Sequence, residues 1–133
     1  MKTNNRGRLA IEITECSHRV IFLPKDGTVW MTRNELCELF DCYMKDIDNA
    51  LFEIFQRGLY EMEDVCKYNL IMKGKRVTYE ITELNLEIII ILAFYLDSFY
   101  SKVLREWVIK RCLKYNELGL KECCVVQQNY QLN

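Results

Sequence analysis

The sequence contains few of the residues that form long linkers. It has one proline, Pro24, and five glycines among 133 residues. Because flexible or extended linkers are usually rich in glycine or proline, the chain is expected to form one domain, which its length also allows. Half of its residues are hydrophobic and 12% are aromatic, which is enough for one packed core and argues against wholesale disorder.

No motif of a common enzyme class is present. The sequence lacks both glycine-rich phosphate-loop patterns and the G-x-S-x-G nucleophile motif. The only histidine, His18, has no partner at a spacing that suggests a catalytic set. Together with Cys37 and Cys42 it matches no standard zinc pattern, so these cysteines are expected to pack in the core. The sequence therefore predicts a non-enzymatic protein that requires no metal or cofactor.

Cysteine usage and hydropathy favour a cytoplasmic protein. The seven cysteines are odd in number and form no C-x-x-C pair. The N-terminal segment Met1–Arg8 is polar, and the apolar stretch of a secretory signal does not follow it. Reduced thiols are therefore expected. The longest apolar run, Ile88–Leu96, is shorter than the roughly 18 residues that cross a membrane, so no membrane partner is expected.

Alternating and turn-forming residues predict a β-meander near the N-terminus. After a flexible tail over residues 1–8, Leu9–Thr14 shows the period-two alternation of a half-buried strand, and His18–Leu23 is a second strand candidate. The Asp-Gly pair in Pro24–Thr28 is a strong turn signal. Val29–Met31 is predicted to continue as a short third strand.

The centre of the chain predicts two short helices followed by a β-hairpin. Thr32 and Glu35 stand three residues apart, as in a capping box at a helix start. After a break of three residues, a second helix is expected to end at Gly58. Val65–Met72 and Arg76–Ile81 are strand-like and are joined by a Lys-Gly-Lys turn. This order is typical of a winged helix-turn-helix, although any helical hairpin in a small α+β domain gives a similar pattern.

Two further helices complete the predicted fold. Thr82 is expected to cap an apolar helix over Glu83–Leu96, and a last helix is expected over Phe99–Leu118. The predicted fold class is α+β, with N-terminal antiparallel strands, a helix-turn-helix-like pair, a β-hairpin wing and two C-terminal helices. This winged-helix-like domain is predicted to span residues 9–118. The tail over residues 119–133 is expected to be either a short strand or disordered.

The charge distribution argues against a strongly basic DNA-binding domain but leaves a local basic site open. The formal net charge is −1, whereas dedicated DNA-binding domains are often strongly basic. Three basic residues crowd the hairpin turn and are candidates for phosphate contact, with a solvated turn as the alternative interpretation: Lys73, Lys75 and Arg76. The last helix carries a second basic group, for which a solvated helix face is the alternative interpretation: Lys102, Arg105, Lys110, Arg111 and Lys114.

The outward face of the predicted second helix carries some residues that favour contact with DNA and others that oppose it. Lys45 and Asn49 are suited to contacts with phosphates and bases, and they are the candidate nucleic-acid contacts on this helix. However, Asp41–Phe55 contains one lysine and four acidic residues, a balance of −3. Because this charge repels a phosphate backbone, the segment argues against tight duplex binding by the second helix.

Several short motifs, in order, resemble the virulence-associated RhuM family. Val-Trp-Met-Thr and Glu-Leu-Cys-Glu-Leu-Phe resemble the opening of that family, and the later matches include its Tyr-Asn-Leu-Asp-Val-Ile-Ile and Arg-Ile-Trp-Ala stretches. The similarity spans roughly Ile11 to Leu113. The matching segments in this chain are Val29–Thr32, Glu35–Phe40, Ile54–Phe55, Gly58–Leu59, Val65–Cys66, Gly74–Lys75 with Tyr79, Leu84–Ile89 and Arg105–Val108.

The resemblance implies a DNA-associated role in bacteria. The family is often linked to mobile or phage-derived elements, and its N-terminal domain is similar to phage regulatory and antirepressor-type domains. This chain departs from the family pattern where Asp41 replaces a glycine between the two helices. Tyr43–Asp46 replace Ser, Thr and Arg residues of the family, and Phe99–Ser101 replace a basic stretch. Each departure removes a residue suited to contact with DNA.

Two hypotheses follow from the sequence. The first is a non-catalytic, DNA-associated regulatory module of mobile-element or phage origin that contacts double-stranded DNA mainly through the hairpin wing. The second is a protein–protein interaction module that kept the helix-turn-helix fold and lost DNA binding. In that case Phe52, Phe99 and Tyr100 are expected to be exposed at an interface with a second copy or another protein.

Overall fold

A computed structural model describes residues 6–114, and within this range the chain has a mixed α+β fold with two small antiparallel sheets and five helices. The predicted α+β class is thus confirmed. The strands are β1 (Arg8–Ile13), β2 (His18–Leu23), β3 (Trp30–Met31), β4 (Cys66–Lys73) and β5 (Arg76–Asn85). The helices are α1 (Arg33–Phe40), α2 (Met44–Gln56), α3 (Met62–Val65), α4 (Leu86–Tyr95) and α5, which is helical over residues 99–114. The predicted tail over residues 119–133 lies outside the described residues.

The helix pair α1 and α2 begins as the local sequence predicts. The backbone N–H of Glu35 donates to Thr32 Oγ1 at 3.1 Å, and the N–H of Thr32 donates to Glu35 Oε1 at 2.8 Å. This capping box satisfies two N–H groups that a helix start leaves without partners. Asp41 ends α1 with a φ of 51°, a left-handed conformation that aspartate adopts more readily than most residues. Three residues, 41–43, then lead into α2.

The third predicted strand of the meander belongs to a different sheet. β1 and β2 form a two-stranded sheet, whereas β3 pairs with β5 in a three-stranded sheet of order β3-β5-β4. Trp30 lies opposite Asn85, and Met31 opposite Leu84. A tight turn closed by hydrogen bonds between Lys25 and Thr28 separates β2 from β3. The predicted meander is wrong because β3 pairs with a distant strand rather than with its neighbour in sequence.

The same pairing moves the start of α4. The sequence predicts a helix from Glu83 capped by Thr82, but β5 continues to Asn85 and α4 begins at Leu86. Asn85 caps α4, since its Oδ1 accepts the N–H of Ile88 at 3.3 Å. Local propensity assigns Glu83, Leu84 and Asn85 to the helix. Pairing with β3 and β4, together with the complete burial of Leu84, keeps these residues in β5 instead.

The chain is anchored earlier than the predicted tail over residues 1–8 implies. β1 begins at Arg8, and the carbonyl of Arg6 accepts the N–H of Trp30 at 2.8 Å. Gly7 has a φ of +73°, and a Cβ at this position would lie 2.8 Å from Val29 Cγ1. Glycine therefore permits both the left-handed turn and the close approach to Val29.

The core lies between α4 and the surrounding helices, and the β4–β5 hairpin extends away from it. Ile88, Ile89 and Leu92 of α4 are fully buried. Arg105 of α5 donates to the carbonyls of Ala93 and Leu96 at 2.7 and 2.9 Å, so it binds the C-terminal end of α4. By contrast, every residue from 72 to 80 is exposed. None of the helices in residues 6–114 is long and apolar enough to cross a membrane.

Candidate nucleic-acid and partner interfaces

The projecting part of the hairpin, residues 68–81, is called the arm, and it has two faces of different chemistry. Its strands are antiparallel, with Met72 opposite Val77 and Lys73 opposite Arg76. Because side chains alternate along a strand, cross-strand partners share a face. The polar face carries Asn69, Ile71, Lys73, Arg76, Thr78 and Glu80. The apolar face carries Tyr68, Leu70, Met72, Val77, Tyr79 and Ile81.

Lys73, Lys75 and Arg76, called the basic tip, lie together at the end of the arm. All three side chains are exposed. Among the residues described, no ion pair involves any of them. Lys73 and Arg76 lie directly opposite each other, and like charges in this arrangement destabilise a strand pair. An anion bound beside them would relieve this repulsion, so the tip has the charge and exposure that a phosphate contact requires.

The candidate contacts on α2 lie in a different electrostatic environment. Lys45 and Asn49 are both exposed, but Asn49 lines a cavity of about 460 Å³ between α2 and the α4–α5 connection. Four carboxylates share the lining of this cavity: Asp41, Asp46, Glu53 and Asp97. The structure therefore places Asn49 among acidic groups and on a different element from the basic tip. This environment disfavours a phosphate backbone next to α2.

Two basic residues of the last helix have structural contacts of their own. Arg105 is held by the carbonyls at the end of α4. The guanidinium of Arg111 lies 4.7 Å from the ring centroid of Trp107 and 5.9 Å from that of Phe22, within cation–π distance. The exposed lysines on α5 are Lys102, Lys110 and Lys114. The arm tip therefore holds the denser group of basic side chains without ion pairs.

The three predicted partner residues do not form one surface. Phe52 is 68% exposed and lines a groove of about 530 Å³, whose apolar lining also includes Leu51, Phe55, Met62 and Ile81. Phe99 is exposed but belongs to α5, where its ring lies 6.0 Å from that of His18. Tyr100 is half-buried. The lining of the groove includes neither Phe99 nor Tyr100.

The sequence interpretation misses the apolar face of the arm. Four of its side chains are more than half exposed: Leu70 (61%), Met72 (72%), Val77 (52%) and Tyr79 (56%). The signal is the period-two alternation in both strands, which identifies the face once the turn fixes the register. Ile81 belongs to this face and also lines the groove beside Phe52, so the two apolar surfaces are continuous.

The central thiols have the environment of packed side chains. Burial raises the pKa of Cys66 to about 12 and that of Cys42 to about 11, and it also raises the pKa of Cys37. These thiols are therefore protonated at neutral pH, whereas the thiolate is the nucleophile and metal ligand. In the part of the chain that the structure describes, no group of three or more His, Cys, Asp or Glu residues is arranged to hold a metal ion.

Comparison of the chain with protein-family models, with curated proteins and with solved structures gave no match. The resemblance to the RhuM family therefore stays a prediction from the sequence. The functional argument depends on the geometry of the arm, α2 and the groove.

Proposed function

We propose that this chain is a non-catalytic, cytoplasmic, DNA-associated regulatory module of mobile-element or phage type, which contacts double-stranded DNA through the basic tip of its arm. The observation that carries the proposal is the group of three exposed cations without ion pairs, Lys73, Lys75 and Arg76, at the end of a projecting hairpin. Cations in such a position release counterions from DNA when they neutralise phosphates.

The order of the elements supports this role for the arm. Two helices joined by three residues, followed by the short helix α3 and a hairpin, are the order expected of a helix-turn-helix with a wing. In this interpretation the arm is the wing. The planar guanidinium of Arg76 suits bidentate phosphate binding, and the two lysines add point charges beside it. The resemblance of the sequence to RhuM proteins is a second, independent support for a DNA-associated role.

The acidic environment of α2 limits how this module reads DNA. Base edges in the major groove are usually read by a helix, and Asn49 would be the base-reading side chain on α2. The cavity that Asn49 lines contains four carboxylates, and these would repel the DNA phosphates next to the bases. Phosphate contacts position a protein on DNA but carry no sequence information directly. We therefore propose binding with little sequence preference.

The proposal is tested by titrating a fluorescent duplex with three proteins at low salt. The first is the wild type, and the second is the Lys73→Ala/Lys75→Ala/Arg76→Ala triple variant. The third is a control, Lys102→Ala/Lys110→Ala/Lys114→Ala, which removes the same charge from exposed positions on α5. We expect the tip variant to lose about tenfold or more in affinity and the control to lose much less, since each lost phosphate contact weakens binding.

Two outcomes contradict the proposal. Equal losses in the two triple variants would mean that binding depends on total charge and not on the tip. The absence of duplex binding by the wild type at low salt would remove the proposed function altogether. Circular dichroism of each variant checks that the exposed substitutions leave the fold intact.

A protein–protein interaction module is the second candidate function. It is favoured by the exposed apolar face of the arm and by its continuity with the groove beside Phe52. Exposed contiguous apolar surface on a small domain marks an interaction site more often than a nucleic-acid contact. This second function requires no basic tip, so it is separable from the first by experiment.

A further inference from the structure

The apolar face of the arm and the groove at its base form one stripe. Ile81 belongs to both, and Leu70 and Tyr79 lie between the groove and the far end of the arm. Lys73 and Arg76 lie on the polar face of the arm, opposite the stripe. Contact with DNA through these two residues therefore leaves the stripe uncovered. An apolar surface of this kind, on a face that the proposed DNA contact does not use, marks a site for another partner.

The two ends of the stripe differ in shape. Met72 and Val77 protrude at the far end, and they are 72% and 52% exposed. At the near end lies the concave groove of about 530 Å³ beside Phe52. The four residue steps from Tyr68 to Met72 correspond to about 13 Å of strand. A protruding end and a concave end on one stripe fit each other when two copies are related by a two-fold axis.

We propose that the stripe binds a second copy of this chain in an antiparallel, two-fold arrangement. Met72 and Val77 of each copy lie in the groove of the other, in contact with Phe52. The same pair of surfaces is then used twice, once at each end of the interface. A second copy is the occupant that fits because this one chain supplies both the protruding and the concave surface, which a two-fold interface requires.

The exposed apolar area is sufficient for a weak dimer. Five side chains of the stripe are more than half exposed: Phe52, Leu70, Met72, Val77 and Tyr79. Aromatic side chains carry about 150–250 Å² each and aliphatic ones somewhat less, so at their 52–72% exposure these five contribute roughly 500–600 Å² per copy and roughly 1,000–1,200 Å² in the pair. Stable interfaces bury about 1,200 Å² or more in total and weak, transient ones bury less, so this area corresponds to a weak dimer.

Charge does not oppose this pairing. None of the six positions on the apolar face of the arm is charged. Asp48 also lines the groove, but its carboxylate is paired with Arg33 of α1 at 2.7 Å. A second copy seated on the stripe therefore covers no carboxylate that lacks a counter-ion.

Sedimentation equilibrium tests the dimer directly. From about 1 to about 200 µM, a range that brackets the micromolar dissociation constant expected of a small interface, the apparent mass of the wild type should rise from 16.0 kDa towards twice that value. Met72→Glu and Val77→Glu should each keep the protein monomeric across the range. Thr78→Glu is the matched control, because it places the same charge on the opposite face of the same strand, and it should dimerise like the wild type.

Mixing two variants tests the antiparallel arrangement. Met72→Lys and Phe52→Asp should each be monomeric alone. Mixed in equal amounts, the two variants should form a heterodimer. At one end of the interface the introduced lysine of one copy meets the introduced aspartate of the other. At the other end the native contact between Phe52 and Met72 is unchanged. A monomeric wild type, or a dimer that Met72→Glu leaves intact, overturns the proposed dimer; a mixture that does not associate overturns its antiparallel geometry. The tip triple variant should still dimerise, so failure of DNA binding and failure of dimerisation are distinguishable.

Discussion

The ion pair between Arg6 and Glu35 shows how single residues stabilise this fold. Arg6 Nη1 lies 2.8 Å from Glu35 Oε1 and 2.8 Å from Glu83 Oε2, so one guanidinium joins the N-terminal segment to α1 and β5. The Glu35 carboxylate also accepts the N–H of Thr32 and thereby caps α1. The hydrogen bond from Arg6 is the main reason that the pKa of Glu35 lies below its ordinary value of 4.5.

Arg6→Gln is predicted to reduce stability in a pH-dependent way. A lowered carboxyl pKa contributes stability that is present above the unfolded-state pKa and is lost as pH falls through the folded-state pKa. The wild type should therefore exceed the variant at pH 7 by roughly 1 kcal/mol, because solvent screens the pair of Arg6 with Glu35, both 39% exposed, more than the pair with Glu83, which is 17% exposed. The difference should shrink below pH 4.5.

Urea unfolding at pH 7 and at a pH well below 4.5 measures this difference. Arg19→Gln is a suitable control, since Arg19 pairs with Glu12 but its side chain is 72% exposed. It should change the stability less at either pH. An Arg6→Gln effect that is equally large at both pH values would contradict the assigned ion pair.

At the residue scale, the sequence predicts contacts only between residues that lie close together in the chain. The capping box joins Thr32 and Glu35, three residues apart, and the sequence alone predicts it correctly. The contact of Arg6 with Glu83 spans 77 positions, and no local pattern indicates it. For this reason the local sequence places Arg6 in a flexible tail, whereas the structure holds it between two elements.

At the level of elements, β4 and β5 show both the success and the limit of periodicity. The β-branched and tyrosine residues of the two strands and the Lys-Gly-Lys turn predict the hairpin, which the structure confirms. The predicted end of β5 is too early because Leu84 and Asn85 are held in the strand by pairing with the distant β3. The apolar face follows from the register, but its exposure depends on which elements leave it uncovered, and the sequence does not supply that information.

The acidic surroundings of α2 lead to a prediction about this helix. Asn49→Ala should change duplex affinity by less than about twofold, because Asn49 lines a cavity with four carboxylates, which repel a phosphate backbone. Fluorescence anisotropy with the same duplex measures this effect. Gln56→Ala, at the other end of α2, serves as the control. A loss of tenfold or more in the Asn49 variant would mean that α2 enters a groove after all.

At the scale of the whole molecule, the two faces of the arm separate two proposed contacts. Lys73 and Arg76 lie on the polar face and are proposed to meet phosphate, while Met72 and Val77 lie on the apolar face and are proposed to meet a second copy. In such a dimer each copy keeps its basic tip exposed. The particle would then present two tips, and two-fold DNA-binding proteins use such paired contacts to engage two half-sites.

The α+β class and most of the element order follow from local pattern, but the division into sheets does not. β3 contains two residues, and the residues of β5 that pair with it, Leu84 and Asn85, lie more than fifty positions later in the chain. Its pairing is decided by the burial of Leu84 and Val29 in one core. The candidate site divides in the same way, because the basic tip and the acidic residues of α2 are local clusters, whereas the far side of the cavity, residues 95–98 with Asp97, comes from a distant part of the chain.

The salt dependence of duplex binding tests the central claim most directly. Each phosphate neutralised by a protein cation contributes about −0.9 to the slope of log affinity against log salt concentration. We predict that the Lys73→Ala/Lys75→Ala/Arg76→Ala variant has a slope shallower than that of the wild type by about 2 to 3, as expected for about three lost phosphate contacts. An unchanged slope would contradict the assignment of DNA contact to the basic tip.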